Sequence, residues 1–180
     1  MASLRKALAY SKKRAVPFTR TSKKKSKSFI KTVPNQKIVK FMMGDEKAFK
    51  QKKYDFHLIL ISKESSQIRH NAIEACRQFI NKKLDKETNK QFFFRIIPYP
   101  HHIQRENKMI TGAGADRMQT GMQLSFGKAS GKAALLKPGS KIFFLAVGTA
   151  KHAKIARKTL NQVKSKVPCK TRIVLEENNK

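Results

Sequence analysis

A chain of 180 residues with 41 Lys and Arg against 11 Asp and Glu, a formal net charge of +30, has room for one domain with a tail and repels itself when alone. Its hydrophobic share of 39% supports a modest core, and the two cysteines, Cys76 and Cys169, give neither a disulfide framework nor zinc-ligand spacing. The longest apolar run, Ile142 to Val147, is far short of a membrane span and the basic stretch from Leu4 to Tyr10 is no signal-peptide core, so the expected setting is a reducing cytoplasm and the expected partner a polyanion, nucleic acid before membrane.

Residues 1 to 34 read as a basic arm. Lys12-Lys13-Arg14 and Lys23-Lys24-Lys25-Ser26-Lys27 cannot bury themselves, while Tyr10, Phe18, Phe29 and Ile30 stand between them as sparse anchors. A tail kept for solubility would not need such anchors, so the arm is expected to order on RNA. Pro34 closes it. Gln36 to Met43 is expected as a strand, with Gly44-Asp45 as a turn. Phe56 to Ile61, apolar on both faces, reads as a buried strand. Ser65 to Leu84 reads as a helix. Ile68, Ala72, Cys76, Phe79 and Leu84 share its apolar face, Ser65 or Ser66 supplies the N-cap, and Arg69, Glu74, Arg77, Asn81 and Lys82 take the other face. Phe92 to Ile97 is a strand stopped by Pro98 and Pro100, with His102 to Arg105 as a short edge strand.

Residues 107–131 differ in character. Gly112, Gly114, Gly121, Gly127 and Gly131 alternate with Lys108, Arg117 and Lys128, Lys132 follows, and no period of either kind emerges. Such a stretch reads as a long functional loop. Ala133 to Leu136 and Ile142 to Val147 flank Lys137-Pro138-Gly139-Ser140, whose Pro-Gly pair suits a type II turn, so the two runs are expected to pair as a hairpin. Thr149 to Val167 reads as a second helix, capped by Thr149 and stopped by Pro168, and Thr171 to Leu175 as a last strand. Together these predict an α+β fold: a mainly antiparallel sheet with two helices packed on one face, a basic N-terminal arm over 1–34, and a single domain over 35–180 carrying the long Gly-rich loop.

Catalytic constellations are incomplete. Gly112-Ala113-Gly114-Ala115-Asp116-Arg117 has Arg where a dinucleotide fingerprint needs its third glycine. The run from Gly121 to Lys128 has one residue too many for a P-loop, and Ala129 stands where Ser or Thr is required. His57, His70, His101, His102 and His152 lack metal spacing, and no nucleophile, base and orienting group are brought together by the sequence pattern. The expectation is a chain that is not an enzyme and needs no metal or cofactor. Its glycines would let RNA approach the backbone closely, with cations supplying the attraction. The candidate RNA-contacting cations are Arg5, Lys6, Lys12, Lys13, Arg14, Arg20, Lys23, Lys24, Lys25, Lys27 and Lys31 in the arm, with Arg69, Lys128 and Lys132 in the domain. For His102, stacking on or hydrogen-bonding to RNA is preferred to metal binding. Tyr10, Phe18, Phe29 and Tyr99 could stack on bases or anchor in the domain, and both readings stay open. Phe92, Phe93, Phe94, Phe143 and Phe144 are assigned mostly to the core.

The Gly-rich stretch also carries a resemblance. Arg105-Glu106-Asn107-Lys108-Met109, then Gly112-Ala113-Gly114-Ala115-Asp116-Arg117-Met118-Gln119-Thr120-Gly121-Met122, then Phe126-Gly127-Lys128 and Gly131 closely resemble the universal large-subunit protein sixteen family of ribosomal proteins, called large-subunit protein ten-e in its archaeal and eukaryotic branch. Ile68-Arg69-His70-Asn71-Ala72-Ile73-Glu74-Ala75, Ile96-Ile97-Pro98-Tyr99-Pro100, Pro17-Phe18-Thr19-Arg20 and Lys37-Ile38-Val39-Lys40-Phe41-Met42-Met43-Gly44 extend the likeness over essentially the whole chain. Met42-Met43 stands where the branch usually has Asp-Met, and the arm is richer in Lys. The short end after the last strand looks archaeal. The resemblance implies a non-catalytic constituent of the cytoplasmic large subunit that packs on its rRNA and on neighbouring ribosomal proteins, with 5S rRNA as a further candidate. It also implies that the loop reaches toward the peptidyl transferase region and the aminoacyl- and peptidyl-site tRNAs. The loop residues so implicated are Arg105, Lys108, Met109, Gly112, Gly114, Asp116, Arg117, Gln119, Gly121 and Met122. A free RNA or DNA chaperone is the competing function. It would bind many polyanions alike and stay in the soluble fraction.

Overall fold

The computed structural model describes residue 30 and residues 32–106 and 128–177. In chain order these form β1 (Met42–Gly44), α1 (Glu46–Lys50), β2 (Phe56–Ser62), β3 (Ser66–Arg69), α2 (His70–Thr88), β4 (Phe92–Ile96), β5 (His102–Glu106), β6 (Lys128–Leu136), β7 (Lys141–Val147), α3 (Ala150–Val163), a 3-10 turn at Lys164–Lys166, and β8 (Thr171–Glu177). The strands make a five-stranded sheet in the order β1-β4-β7-β2-β8 and a three-stranded sheet in the order β3-β6-β5. The strand pairs are antiparallel. The fold is α+β.

Aromatic and aliphatic runs form the middle of the large sheet because they are covered on both sides. Leu58, Leu60, Phe92, Phe94, Phe143, Leu145 and Val147 point to one face and pack under α2 and α3. The helices meet them with Ile73, Cys76, Ile80 and Leu84 from α2, and with Ala156, Leu160 and Val163 from α3. The next residues in register face the other way: Phe93 and Ala146 are buried beneath α1, with Phe49 stacked on Phe93 at 4.4 Å. Alternation within one strand thus serves two layers. At roughly 1.5–3 kcal/mol for each large buried side chain, this double burial is the main source of stability.

Several expected elements differ in detail. Among the described residues Gln36 to Lys40 pairs with no strand: the Val39 N–H donates to the Glu74 carboxylate instead (3.3 Å), and of the expected strand Met42–Gly44 joins the sheet, on β4. The helix expected from Ser65 begins at His70. Ser66–Arg69 is a strand paired with Ala133–Leu136, which a local helical period could not reveal. Ile68 belongs to β3, and the buried stripe of α2 is Ile73, Cys76, Ile80 and Leu84, with Ala72 and Phe79 partly buried beside it. Ser65 and Ser66 do not cap it. The turn at Pro138-Gly139 is present, with Gly139 at φ 84° and Ser140 N–H donating to Lys137 O at 3.0 Å. Its flanks are not a hairpin: β7 has both edges filled, by β4 and β2, so β6 pairs with β3 and β5. Thr149 caps α3 as expected, accepting from His152 N–H at 3.2 Å, but the α-helix stops at Val163 and tightens into the 3-10 turn before Pro168.

Candidate nucleic-acid interface

The small sheet and the start of α2 gather cations. Arg69 ends β3 and is the N-cap residue of α2, half-buried and in extended backbone (φ −71°, ψ 146°). Among the described residues no side chain caps the helix, and its first turn carries no carboxylate. The dipole at this helix start favours an anion there. The next residue, His70, is only 3% exposed. Its ring lies against β6 where Gly131 has no side chain: a Cβ at Gly131 would come within 3.4 Å of His70 Nε2. His70 Nδ1 has no hydrogen-bond partner among the described residues. Burial first, and then the charges of Lys37, Arg69 and Lys132, push its pKa down from 6.5 to about 4. The imidazole is therefore neutral at physiological pH. Lys37, missed in the sequence, is exposed and acts on the same ring as Arg69 and Lys132. A shift on a neighbouring histidine has no sequence signature.

A depressed imidazole pKa gives a signed pH dependence. Between pH 6.5 and about 4 the unfolded chain binds a proton that the folded chain refuses, so stability is fully present above 6.5 and is lost as pH falls toward 4. Denaturation midpoints measured across this interval should fall more steeply for the native chain than for His70→Asn. Parallel curves would remove the buried neutral His70.

The other predicted domain residues lie at the root of the Gly-rich stretch. Lys128 opens β6 opposite Glu106, and Arg105 on β5 lies opposite Ala129; both cations are exposed. A register shift at Gln104/Arg105 accommodates the extra residue of β6. The expected loop thus ends earlier than residue 131, because Lys128–Gly131 is already strand. His102 is corrected: it is 5% exposed within β5 and cannot stack on RNA. His101, adjacent in sequence, is exposed and packs against Tyr99 at 4.6 Å, while Tyr99 stacks on Phe41 at 5.4 Å with rings 20° apart. Tyr99 remains 47% exposed, so one residue serves both as anchor and as aromatic surface.

The arm cations Arg5, Lys6, Lys12, Lys13, Arg14, Arg20, Lys23, Lys24, Lys25, Lys27 and Lys31 lie outside the described residues, as do Tyr10, Phe18 and Phe29. The same holds for Lys108, Met109, Gly112, Gly114, Asp116, Arg117, Gln119, Gly121 and Met122 of the loop. Ile30, at the end of the arm, is buried at 6% exposure. Cys76 is a core thiol, pushed up to about 12 by burial. Among the described residues no three His, Cys, Asp or Glu side chains converge as a metal site, and no helix is long and apolar enough to cross a membrane.

Comparison with known proteins adds a family. A family model described as ribosomal protein L16p/L10e matches residues 17–174. A protein of Metallosphaera sedula named large ribosomal subunit protein uL16 is 44% identical over 152 residues, covering 83% of this chain and 84% of its own length. The protein of the same name from Staphylothermus marinus is 41% identical over 174 residues, covering 96% and 94%. That from Sulfolobus acidocaldarius is 43% identical over 159 residues, covering 86% of each.

Proposed function

The chain belongs to the ribosomal protein L16p/L10e family, in its archaeal branch, and on that premise we propose that it holds large-subunit rRNA through its cationic arm and small sheet while the Gly-rich segment serves tRNA near the peptidyl transferase region. It is a structural constituent of the large ribosomal subunit, associated with rRNA and other ribosomal proteins. The role is architectural, not catalytic. The observation that carries the rRNA reading is the crowding of Lys37, Arg69 and Lys132 about one neutral histidine at a helix start whose first turn holds no carboxylate. Like charges gathered there are stabilised by a phosphate backbone. Contacts of this kind set register on a folded RNA without reading bases. Arg105 and Lys128 flank the entry and exit of the Gly-rich segment, and Lys108 and Arg117 within it are suited to the backbone of tRNA acceptor ends. 5S rRNA is a further partner open to the same cationic surface.

Sedimentation tests the reading. The chain should co-migrate with the large subunit at near-unit ratio through moderate salt. Recovery mainly in the soluble fraction would favour a free chaperone. Two variants separate the roles. Arg117→Ala should slow tRNA accommodation while leaving subunit incorporation close to the native level. Failure to incorporate would make the loop a docking element. Replacing Lys23, Lys24, Lys25 and Lys27 by Gln should weaken incorporation and flatten its dependence on log salt by roughly 3, at ~0.7 to 0.9 per neutralised phosphate. No change in either would remove the arm from the interface.

A further inference from the structure

The two long helices share one face of the sheet but differ in charge. α2 interleaves its cations with Glu74, Asp85 and Glu87, and ties Arg77 to Glu74. α3 has none: no Asp or Glu occurs between Asp116 and Glu176. Lys151, Lys154, Arg157 and Lys158 are all exposed on α3, and no ion pair engages any of them among the described residues. Lys151 and Lys154 stand three apart, Lys154 and Lys158 four apart. Those are the spacings at which like charges on a helix repel. Lys151 also sits in the first turn, against the positive end of the dipole. Each choice works against the isolated helix.

The apolar face of α3 is already used. Ala153, Ala156, Leu160 and Val163 are buried on the sheet and on α2. The exposed face therefore has no hydrophobic stripe to insert into a lipid surface. It has instead a shallow depression of about 560 Å³ lined by Lys154, Arg157, Lys158, Asn161 and Gln162. Two amides beside three cations suit phosphate and ribose oxygens together. The patch continues toward α2, where Lys83 Nζ donates to Gln162 Oε1 at 2.6 Å, and past Lys166, which lies over the Phe79 ring at 5.9 Å.

We propose that the outer face of α3 is a second RNA-docking surface, taking the sugar-phosphate backbone of a folded rRNA segment different from the one held at the small sheet. This rests on the ribosomal role proposed above. α3 packs on α2 and on β2, β7 and β8, whereas the Gly-rich segment springs from β5 and β6. The chain would then bridge two RNA elements.

Lysine acetylation read by mass spectrometry, on the free chain and on purified large subunits, tests this together with ultraviolet cross-linking. Lys151, Lys154 and Lys158 should be modified several-fold more slowly in the subunit, and the peptide holding them should carry cross-linked nucleotide. Replacing Lys154, Arg157 and Lys158 by Gln should leave thermal unfolding of the exposed helix near native and flatten the salt dependence of rRNA binding by ~0.7 to 0.9 for each phosphate that the variant no longer neutralises. Arm lysines protected while α3 lysines react at the free-chain rate would overturn the second surface and leave the ribosomal role standing. Protection with cross-links to a neighbouring protein alone would overturn it in favour of an acidic protein partner. Absence of the chain from subunits would remove both.

Discussion

Glu74→Ala should cost the fold about 3 kcal/mol, more than any exposed charge change in this molecule. The carboxylate is buried within α2 and accepts from Arg77 Nε at 2.8 Å and Nη2 at 2.6 Å, from Gln78 Nε2 at 3.1 Å, and from the Val39 N–H at 3.3 Å. The two charged side chains are 13% and 12% exposed. Alanine would leave the Arg77 guanidinium largely out of water without its counter-charge, and would release the irregular segment at Val39. The cost belongs to the broken pair more than to the worth of the pair, so replacing Glu74 and Arg77 together by Leu should recover most of it. Urea denaturation followed by circular dichroism reads both. A single variant within ~0.5 kcal/mol of native would mean that water already reaches the pair. The same site has a pH signature. The Arg77 hydrogen bond holds the Glu74 carboxyl below the usual carboxylate range. The folded pKa is thus lower than the unfolded one, and the stabilisation is complete above the ordinary carboxylate range and lost as pH falls through the depressed value. Glu74→Gln should flatten that acid limb.

Buried aromatic runs were readable because covering a strand on both faces leaves few polar positions in it, here only His57 in the first run and the exposed Arg95 in the second. Phe56 to Ile61, Phe92 to Ile97 and Ile142 to Val147 became β2, β4 and β7 within a residue or two. Caps and stops were readable at α3, where Thr149 and Pro168 act on neighbours a few residues away. The division into two sheets was not readable. Which strand lies beside β6 depends on β7 having both edges filled, a fact fixed by residues distant in sequence. Ser66–Arg69 failed for the same reason: one Ile among polar residues fits a helix as well as a strand, and only Ala133–Leu136 decides.

The site was readable as a charge and less so as an arrangement. Lys128 and Lys132 could be singled out by type and by neighbouring glycines, Arg69 by type, and Arg105 through the family resemblance. That Lys37 joins Arg69 and Lys132 around His70 depends on three separated segments meeting. Glu74, assigned to an outer helix face, is inside because the segment around Val39, distant in sequence, lies over that face and donates to its carboxylate. The run of cations on α3 is plain in the sequence, but its lack of any opposing carboxylate becomes informative only once the packed face is known.

Gly44→Ala should destabilise the fold by roughly 2–4 kcal/mol, from backbone strain plus a collision. Gly44 sits at φ 88°, a region costly for any residue with a Cβ, and a Cβ there would lie 2.0 Å from the Phe92 carbonyl oxygen. That oxygen is fixed by accepting from Asp45 N–H at 2.8 Å, so it cannot simply move away. Relief requires β1 to lift from β4. Asp45 would move with it, and its side chain caps α1 by accepting from Ala48 N–H at 2.9 Å. α1 in turn places Phe49 on Phe93 and Phe144, so the second layer of the core should loosen. Gly139→Ala is the matched control. Its φ of 84° carries the same backbone strain, but nothing lies within 4 Å of the added carbon. It should lose only about 1–2 kcal/mol. Comparing the two by thermal and urea unfolding separates the conformational cost from the clash. Equal losses would mean that β1 contributes no anchoring through Phe92, and that α1 holds its layer without it.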